Sequence, residues 1–248
     1  MIEDYSKHAA VWDWDGYDNT SEYEYWCKYA GQFGENVLIP MCALGQTGAY
    51  MAQHGFNVVA FDITKEMIEA GKKRFGSVSG LELLIADIRD FSFTSQPFDF
   101  VFLKDQDLHL LTTINDVKRA LISINKHMRK SGCLILELAL PAKESSYSPK
   151  RVFHPRKPNY PDKKVWKESE CRYDAATGRN YIDQVVFIED ANGLEHFNYS
   201  LCLQYFDREE VLNALEECGF SVKNEYCSRE KELWKPEDGS WIVEAEKR

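Results

Sequence analysis

The sequence predicts an α/β fold with a doubly wound sheet of seven strands, on the basis of three observations. Apolar runs that suit buried strands alternate with stretches of helical periodicity from residue 36 onward. A turn rich in small residues, 42–48, follows the first strand, and an acid, Asp62, ends the second. Such alternation is typical of a parallel sheet with helices on both faces, and 248 residues with 44% apolar composition can bury its core.

The N-terminal segment, residues 1–35, is rich in aromatic and acidic side chains, and we predict that it forms a helical lid. Within it, residues 21–33 have a helical pattern that Ser21 would cap. The central elements are then predicted as strands at 36–41, 57–62, 81–86, 98–103 and 133–139, with helices at 46–54, 65–75 and 113–129.

The alternation ends after the fifth strand. Residues 141–164 contain five prolines and an excess of basic side chains, which predicts a loop. Three β-rich runs follow at 165–174, 179–189 and 194–205, and Asn192-Gly193 between the last two is a strong hairpin signal. We therefore expect a three-stranded antiparallel β insert.

The chain then returns to the central sheet with a helix that Asp207 caps and strands at 220–227 and 240–246. The predicted organisation has three parts. They are a lid (1–35), a nucleotide-binding core (36–140 and 206–248) and a cap of loop and insert over the substrate (141–205).

Charge and cysteine content exclude several classes of partner. A formal net charge of −10 argues against nucleic acid or an anionic membrane surface. The seven cysteines form no CxxC pair, so we expect reduced thiols in a cytoplasmic protein and no metal site. The N-terminal residues hold no apolar run, and no window approaches the ~20 residues of a membrane span, so we expect no signal peptide and no membrane segment.

The turn after the first strand leaves two cofactors open. As Ala43-x-Gly45-x-x-Gly48 it approximates a dinucleotide fingerprint, with Asp62 on a ribose, which would indicate an NAD(P)-dependent oxidoreductase. Alternatively, positions 41, 43 and 45 correspond to the three glycines of a different type of cofactor-binding turn. In this chain these positions are Met41, Ala43 and Gly45.

Features further along the chain favour the second alternative. They are Asp87 at the end of the third strand, the strand 97–103 and the turn 128–136. In order and spacing they resemble class I S-adenosylmethionine-dependent methyltransferases over residues 36–139. The resemblance implies a Rossmann-like sheet with an antiparallel last strand. The lid and insert are similar to the small-molecule branch, including sugar N,N-dimethyltransferases, and residues 40–43 locally resemble thiopurine methyltransferases.

The resemblance implies a set of residues for binding S-adenosylmethionine and its product S-adenosylhomocysteine. The turn would approach the methionine end, Asp62 would hold the ribose, and the acid after the third strand would read the adenine edge. The full set is Met41, Cys42, Ala43, Gly45, Asp62, Ile63, Asp87, Ile88, Leu103 and Lys104. Two positions depart from the pattern, because Ile39 replaces the usual acid that anchors the cofactor's amino acid end and Met41 replaces a glycine.

Candidate groups for the acceptor side are less specific. His109 and Asp107 follow the fourth strand and are candidate general bases, although a histidine at this place is often structural. Aromatic faces attract cations within roughly 6 Å and would suit a sulfonium. The candidates for contact with substrate, which could equally be packing residues, are Tyr5, Trp12, Trp14, Tyr17, Arg172 and Tyr199.

The resulting expectation is transfer of a methyl group from S-adenosylmethionine to a nitrogen, oxygen or sulfur of a small molecule by in-line displacement. A hydroxyl acceptor would need a base, whereas a thiol or neutral amine would not. The alternatives are an NAD(P)-dependent oxidoreductase and a non-catalytic module that binds S-adenosylmethionine. We expect a monomer or homodimer.

Overall fold

The central sheet of the computed structural model, which describes residues 6–93, 97–157 and 160–248, has seven strands. They are β1 (Asn36–Pro40), β2 (Asn57–Asp62), β3 (Leu81–Ile85), β4 (Phe98–Leu103), β5 (Met128–Ala139), β10 (Phe220–Tyr226) and β11 (Ser240–Lys247). Its helices are α1 (Ser6–Ala9), α2 (Thr20–Ala30), α3 (Gln46–Gln53), α4 (Lys65–Phe75), α5 (Ile114–His127) and α6 (Arg208–Glu217), with a 3₁₀ turn at Asp107–Leu110. None of these helices is long and apolar enough to cross a membrane.

The strand order is β10-β11-β5-β4-β1-β2-β3. β1 pairs in parallel with both β2 and β4, while β11 runs antiparallel to β5 and β10. The predicted seven-stranded sheet with a reversed last strand is therefore confirmed. The chain winds in opposite directions from β1, and ligands of such sheets bind at the carboxyl ends of the strands beside this reversal.

Both faces of the sheet are covered, which explains the continuous apolar runs. Leu38 of β1 is buried in one cluster with Val117 and Leu121 of α5. Val37, on the opposite face, is buried in a second cluster with Trp26 of α2. The indole of Trp26 stacks on Phe102 with ring centroids 4.2 Å apart. The aromatic N-terminal segment thus supplies a packed helix.

The insert forms a separate antiparallel sheet of four strands, where the sequence predicted three. Its strands, in order across the sheet, are β6 (Ser146–Phe153), β7 (Lys164–Asp174), β8 (Arg179–Asp190) and β9 (Gly193–Gln204). Part of the predicted loop 141–164 is therefore a strand, β6. β6 lacks an inward-facing apolar pattern because every residue in it is exposed, and its Pro149 lies in a register shift between Ser148 and Arg151. Proline is tolerated at such edge positions.

Boundaries differ elsewhere by a few residues. α2 begins at Thr20, one residue before the predicted Ser21, and α5 ends at His127 so that β5 begins at Met128. The predicted cap of the last helix is present as a capping box in which Asp207 and Glu210 satisfy each other's backbone N–H groups.

Candidate functional site

A cleft of about 600 Å³ opens at the carboxyl edge of the central sheet, where the winding reverses. Its floor is the turn after β1, its sides are the ends of β2, β3 and β4, and α2 together with Trp12 lies across it. Trp12 and Ala43 both pack against the buried cluster of Ala9, Leu44 and Met67, so the N-terminal segment and the turn share one core.

The turn after β1 has an unusual backbone. Met41, Ala43 and Gly45 have φ angles of 56°, 50° and 80°, all in the left-handed region that favours glycine. Two of the three carry side chains, which costs about 1–2 kcal/mol each in this conformation. The three positions at which the resemblance expects glycine therefore have the backbone of a glycine turn, and a non-glycine residue in this region often marks a functional constraint.

Asp62 ties this turn to the end of β2. Its Oδ2 accepts a hydrogen bond from the N–H of Ala43 at 2.9 Å, and its Oδ1 accepts one from the N–H of Thr64, also at 2.9 Å. The carboxylate is thus held at the rim of the cleft with lone pairs left over. An acid fixed in this way can accept from both hydroxyls of a ribose.

Two glycines let the turn pack closely on its neighbours. A Cβ on Gly45 would lie 2.5 Å from Cδ2 of Leu83, and a Cβ on Gly71 of α4 would lie 2.3 Å from the carbonyl oxygen of Leu44. The first turn of α3 also lines the cleft, and the free N–H groups at a helix N-terminus favour negative charge.

The end of β3 forms the far side of the cleft. The carboxylate of Asp87 makes a two-pronged ion pair with Arg89, with Nε 2.9 Å from Oδ1 and Nη2 2.5 Å from Oδ2. This guanidinium lowers the pKa of Asp87 below its usual value of 3.8. Ile63, 58% exposed, and Ile88, 4% exposed, both line the cleft and could flank a planar ring.

A network of charges surrounds the end of β4. Lys104 bridges Glu22 of α2 and Asp105, the latter at 2.8 Å. Burial disfavours the ammonium, but these two carboxylates outweigh it and raise the pKa of Lys104. Leu103 lies in the core and presents no side chain to the cleft.

The network continues through Arg229 and Glu137, which sequence reasoning missed. Arg229 binds Glu137 through Nε at 2.6 Å and reaches Glu22 at 3.3 Å. The second oxygen of Glu137 accepts the N–H of Asp105 at 3.1 Å. These residues come from distant parts of the chain, so no local pattern could have revealed them.

The two candidate bases are in very different places. His109 is fully buried and absent from the cleft lining. Its Nδ1 lies 2.7 Å from the carbonyl of Gln204, and its Nε2 accepts the N–H of Ala139 at 3.0 Å. Burial lowers its pKa from 6.5 to about 4. This geometry corrects the expectation of a catalytic His109, because a neutral ring with both nitrogens occupied clamps the insert to β5.

Asp107, by contrast, lines the cleft. Burial, together with the nearby carboxylates of Asp105 and Asp62, raises its pKa well above the usual value of 3.8, and Lys104 compensates only in part. Burial also raises the pKa of the neighbouring thiol of Cys42.

A second groove of about 700 Å³ adjoins the cleft and shares Trp12, Asn19 and Tyr23 with it. Of the predicted acceptor residues, Trp12, Trp14, Tyr17 and Tyr199 line this groove. Trp14 and Tyr199 are also packed in a cluster with Val165, so they have a structural role as well.

Two predicted acceptor residues are not at the groove. Tyr5 lies outside the described residues. Arg172 lies exposed over the ring of Tyr181, at 4.6 Å from its centroid, on the face of the insert sheet opposite Tyr199. Arg172 of β7 pairs with Tyr181 of β8, and Tyr199 of β9 pairs with Gln184 of β8. Paired residues share a face, and residues 181 and 184 of β8 lie on opposite faces because side chains alternate along a strand. Arg172 and Tyr199 therefore lie on opposite faces of the insert sheet.

Comparison with known proteins shows what this part of the chain is similar to. Residues 37–132 match a family model described as a methyltransferase domain. YqeM of Bacillus subtilis, a protein provisionally named as a methyltransferase, is 23% identical over 193 residues, covering 75% of this chain and 73% of that protein.

Solved structures share the fold over almost the whole chain. A S-adenosylmethionine-dependent methyltransferase from Clostridium acetobutylicum superposes with a TM-score of 0.76 at 13% identity, covering 98% of each chain. CalS10, an amino pentose methyltransferase from Micromonospora echinaspora solved with S-adenosylmethionine bound, gives 0.71 at 18% identity, covering 97% of this chain and 96% of that one.

Proposed function

We propose that the protein transfers a methyl group from S-adenosylmethionine to a small-molecule acceptor, because residues 37–132 match a methyltransferase domain and the chain shares its fold with a S-adenosylmethionine-dependent methyltransferase. One observation carries the proposal: the left-handed turn 41–45 is tied through Ala43 to the carboxylate of Asp62 at the rim of the cleft. An oxidoreductase and a non-catalytic module are not favoured.

We propose the following placement of the cofactor in the cleft. Asp62 would accept the ribose hydroxyls, and Ile63 and Ile88 would hold the two faces of the adenine. Asp87, fixed by Arg89, would lie at the adenine edge. The backbone of Met41 to Gly45 would support the methionine end, which would then lie beside α2 and Lys104, since both also line the cleft.

The second groove is our proposed route for the acceptor. It meets the cleft at four shared residues, Trp12, Asn19, Tyr23 and Gln46. Trp12 and Tyr23 would exclude water, and their faces suit a sulfonium. The bound cofactor supplies an activated methyl group, so the chain's own residues need chiefly to align the acceptor for in-line attack.

The acceptor class we favour is an amine or a thiol. A hydroxyl would need a base, whereas a neutral amine or a thiol would not; His109 is buried with both ring nitrogens engaged, which leaves Asp107 as the one of the two candidate bases that lines the cleft. The fold neighbour CalS10 is an amino pentose methyltransferase, which makes amino sugars the first class to test. All seven cysteines are free thiols, which supports a cytoplasmic protein. The chain would act as a monomer or homodimer.

Calorimetric titration tests the proposal. We expect S-adenosylhomocysteine to bind at micromolar concentration, Asp62→Ala to abolish binding, and NADH to give no heat. Amines and thiols are then screened for release of S-adenosylhomocysteine. Absence of binding for both sulfur nucleosides would refute the cofactor assignment, and turnover of NADH at 340 nm would revive the oxidoreductase.

A further inference from the structure

The end of β1 leaves the cofactor's amino group without its usual partner. Ile39 stands where most class I methyltransferases have an acid. Its side chain is 3% exposed and is buried with Met51 and Phe100, while still contributing to the cleft. A bound α-ammonium would face an apolar wall there, and an unpaired charge next to such a wall is costly.

Five carboxylates line the cleft, and four of them already have partners. Glu22 binds Lys104 and Arg229, and Asp105 binds Lys104 at 2.8 Å. Asp87 is paired with Arg89, and Asp62 accepts two backbone N–H groups.

Asp107 is the exception among the described residues. Its carboxylate makes no hydrogen bond or ion pair with any described residue, although it lines the same cleft as Ile39 and Met41. Burial is the largest cause that raises its pKa; the carboxylates of Asp105, Asp62 and Glu137 add to it, and Lys104 offsets it in part. A cation bound against this carboxylate would stabilise its charged form.

The backbone holds Asp107 in place. Asp105 and Gln106 have φ angles of 52° and 66°, and these two consecutive left-handed residues reverse the chain after β4. Two residues further on, the buried His109 fixes the 3₁₀ turn to Ala139 and Gln204. Strain of this kind is typical of a side chain held for a ligand.

We propose that Asp107 is the carboxylate that accepts the cofactor's α-ammonium, replacing the acid missing at Ile39. The inference rests on the proposed function. It gives Asp107 a role in binding and orienting the cofactor, and it leaves the cleft with no spare base for a hydroxyl acceptor among the described residues.

The test compares two ligands that differ only in the amino group: S-adenosylhomocysteine and its analogue with hydrogen in place of the α-amino group. Calorimetry of Asp107→Asn should show a 10- to 100-fold loss of affinity for S-adenosylhomocysteine and a change of less than twofold for the analogue. Asp105→Asn, the adjacent carboxylate with cationic partners, should change both affinities by the same factor. In the Asp107→Asn background, Ile39→Glu should restore part of the preference for S-adenosylhomocysteine over the analogue without the amino group.

The outcomes separate the two proposals. If the wild-type chain binds neither ligand, the proposed function fails. If it binds both equally well, or if Asp107→Asn weakens both to the same extent or neither, Asp107 is not the anchor while the methyltransferase assignment stands. Thermal melting establishes that each variant is folded, and a wild-type preference of less than threefold for the aminated ligand would overturn the inference even if Asp107→Asn does not fold.

Discussion

Gly45 packs closely against Leu83 in the core, so Gly45→Ala measures how tightly the turn 41–45 is constrained. The new Cβ would lie 2.5 Å from Cδ2 of Leu83, which is itself 4% exposed and has little room to move. The matched control is Gly55→Ala, because Gly55 has a similarly positive φ of 94° with no atom within 4 Å of the added Cβ.

The two substitutions differ in one energetic contribution. Both place an alanine in the left-handed region at a cost of about 1–2 kcal/mol. Alanine also reduces the conformational entropy of the unfolded chain, which offsets about 0.5 kcal/mol of that cost. Gly45→Ala adds overpacking of about 1–3 kcal/mol. We therefore expect losses in the free energy of unfolding of about 1 kcal/mol for Gly55→Ala and about 2–4 kcal/mol for Gly45→Ala.

Urea unfolding and calorimetry with S-adenosylhomocysteine measure these effects. Gly45→Ala should also weaken binding at least tenfold, because a shift of the turn moves the N–H groups of α3, whereas Gly55→Ala should leave affinity unchanged. Equal stability losses for the two variants, with binding intact in Gly45→Ala, would refute the view that this glycine sets the shape of the site.

Three further predictions concern strain, protonation and the charge network. Ala43→Gly relieves a left-handed alanine and should raise the free energy of unfolding by about 0.5 kcal/mol in urea titrations; a loss would mean that packing by the methyl group dominates. Burial lowers the pKa of His109 from 6.5 to about 4, so the neutral ring contributes fully to the free energy of unfolding above pH 6.5. As the pH falls to 4, the free energy of unfolding should decrease by about 3 kcal/mol. His109→Gln should remove that part of the pH dependence of chemical unfolding, and an unchanged pH profile would contradict it. Arg229→Met leaves the largely buried Glu137 without its cation and should cost about 2 kcal/mol, less than a fully buried pair because Arg229 is partly exposed; equal unfolding midpoints would show that the pair is not stabilising.

The elements that the sequence predicts well are those with a local signature. The strand β2 ends in Asp62 after four buried apolar residues, and its partner helix follows at once, so the position of Asp62 at the edge of the sheet can be predicted. The same is true of the Asp207 cap, where the capping residue and Glu210 are three positions apart.

Other features depend on contacts that leave no trace in a single stretch of sequence. His109 binds two backbone groups, which any residue type could supply. Arg172 and Tyr199 belong to strands whose faces depend on the pairing register, and a shift of one residue would exchange their sides. Glu137 and Arg229 meet only because β5 and the segment after β10 come together in the folded sheet.

The fully exposed strand β6 has a consequence for self-association. Its outer edge has no partner strand among the described residues and carries the exposed apolar side chains of Tyr147, Val152 and Phe153. Such an edge invites a strand from another molecule, but Pro149 offers no N–H to it, and Lys150 and Arg151 bring positive charge where two copies would meet. The proline that obscures this strand in the sequence therefore also protects the sheet from growing into an aggregate.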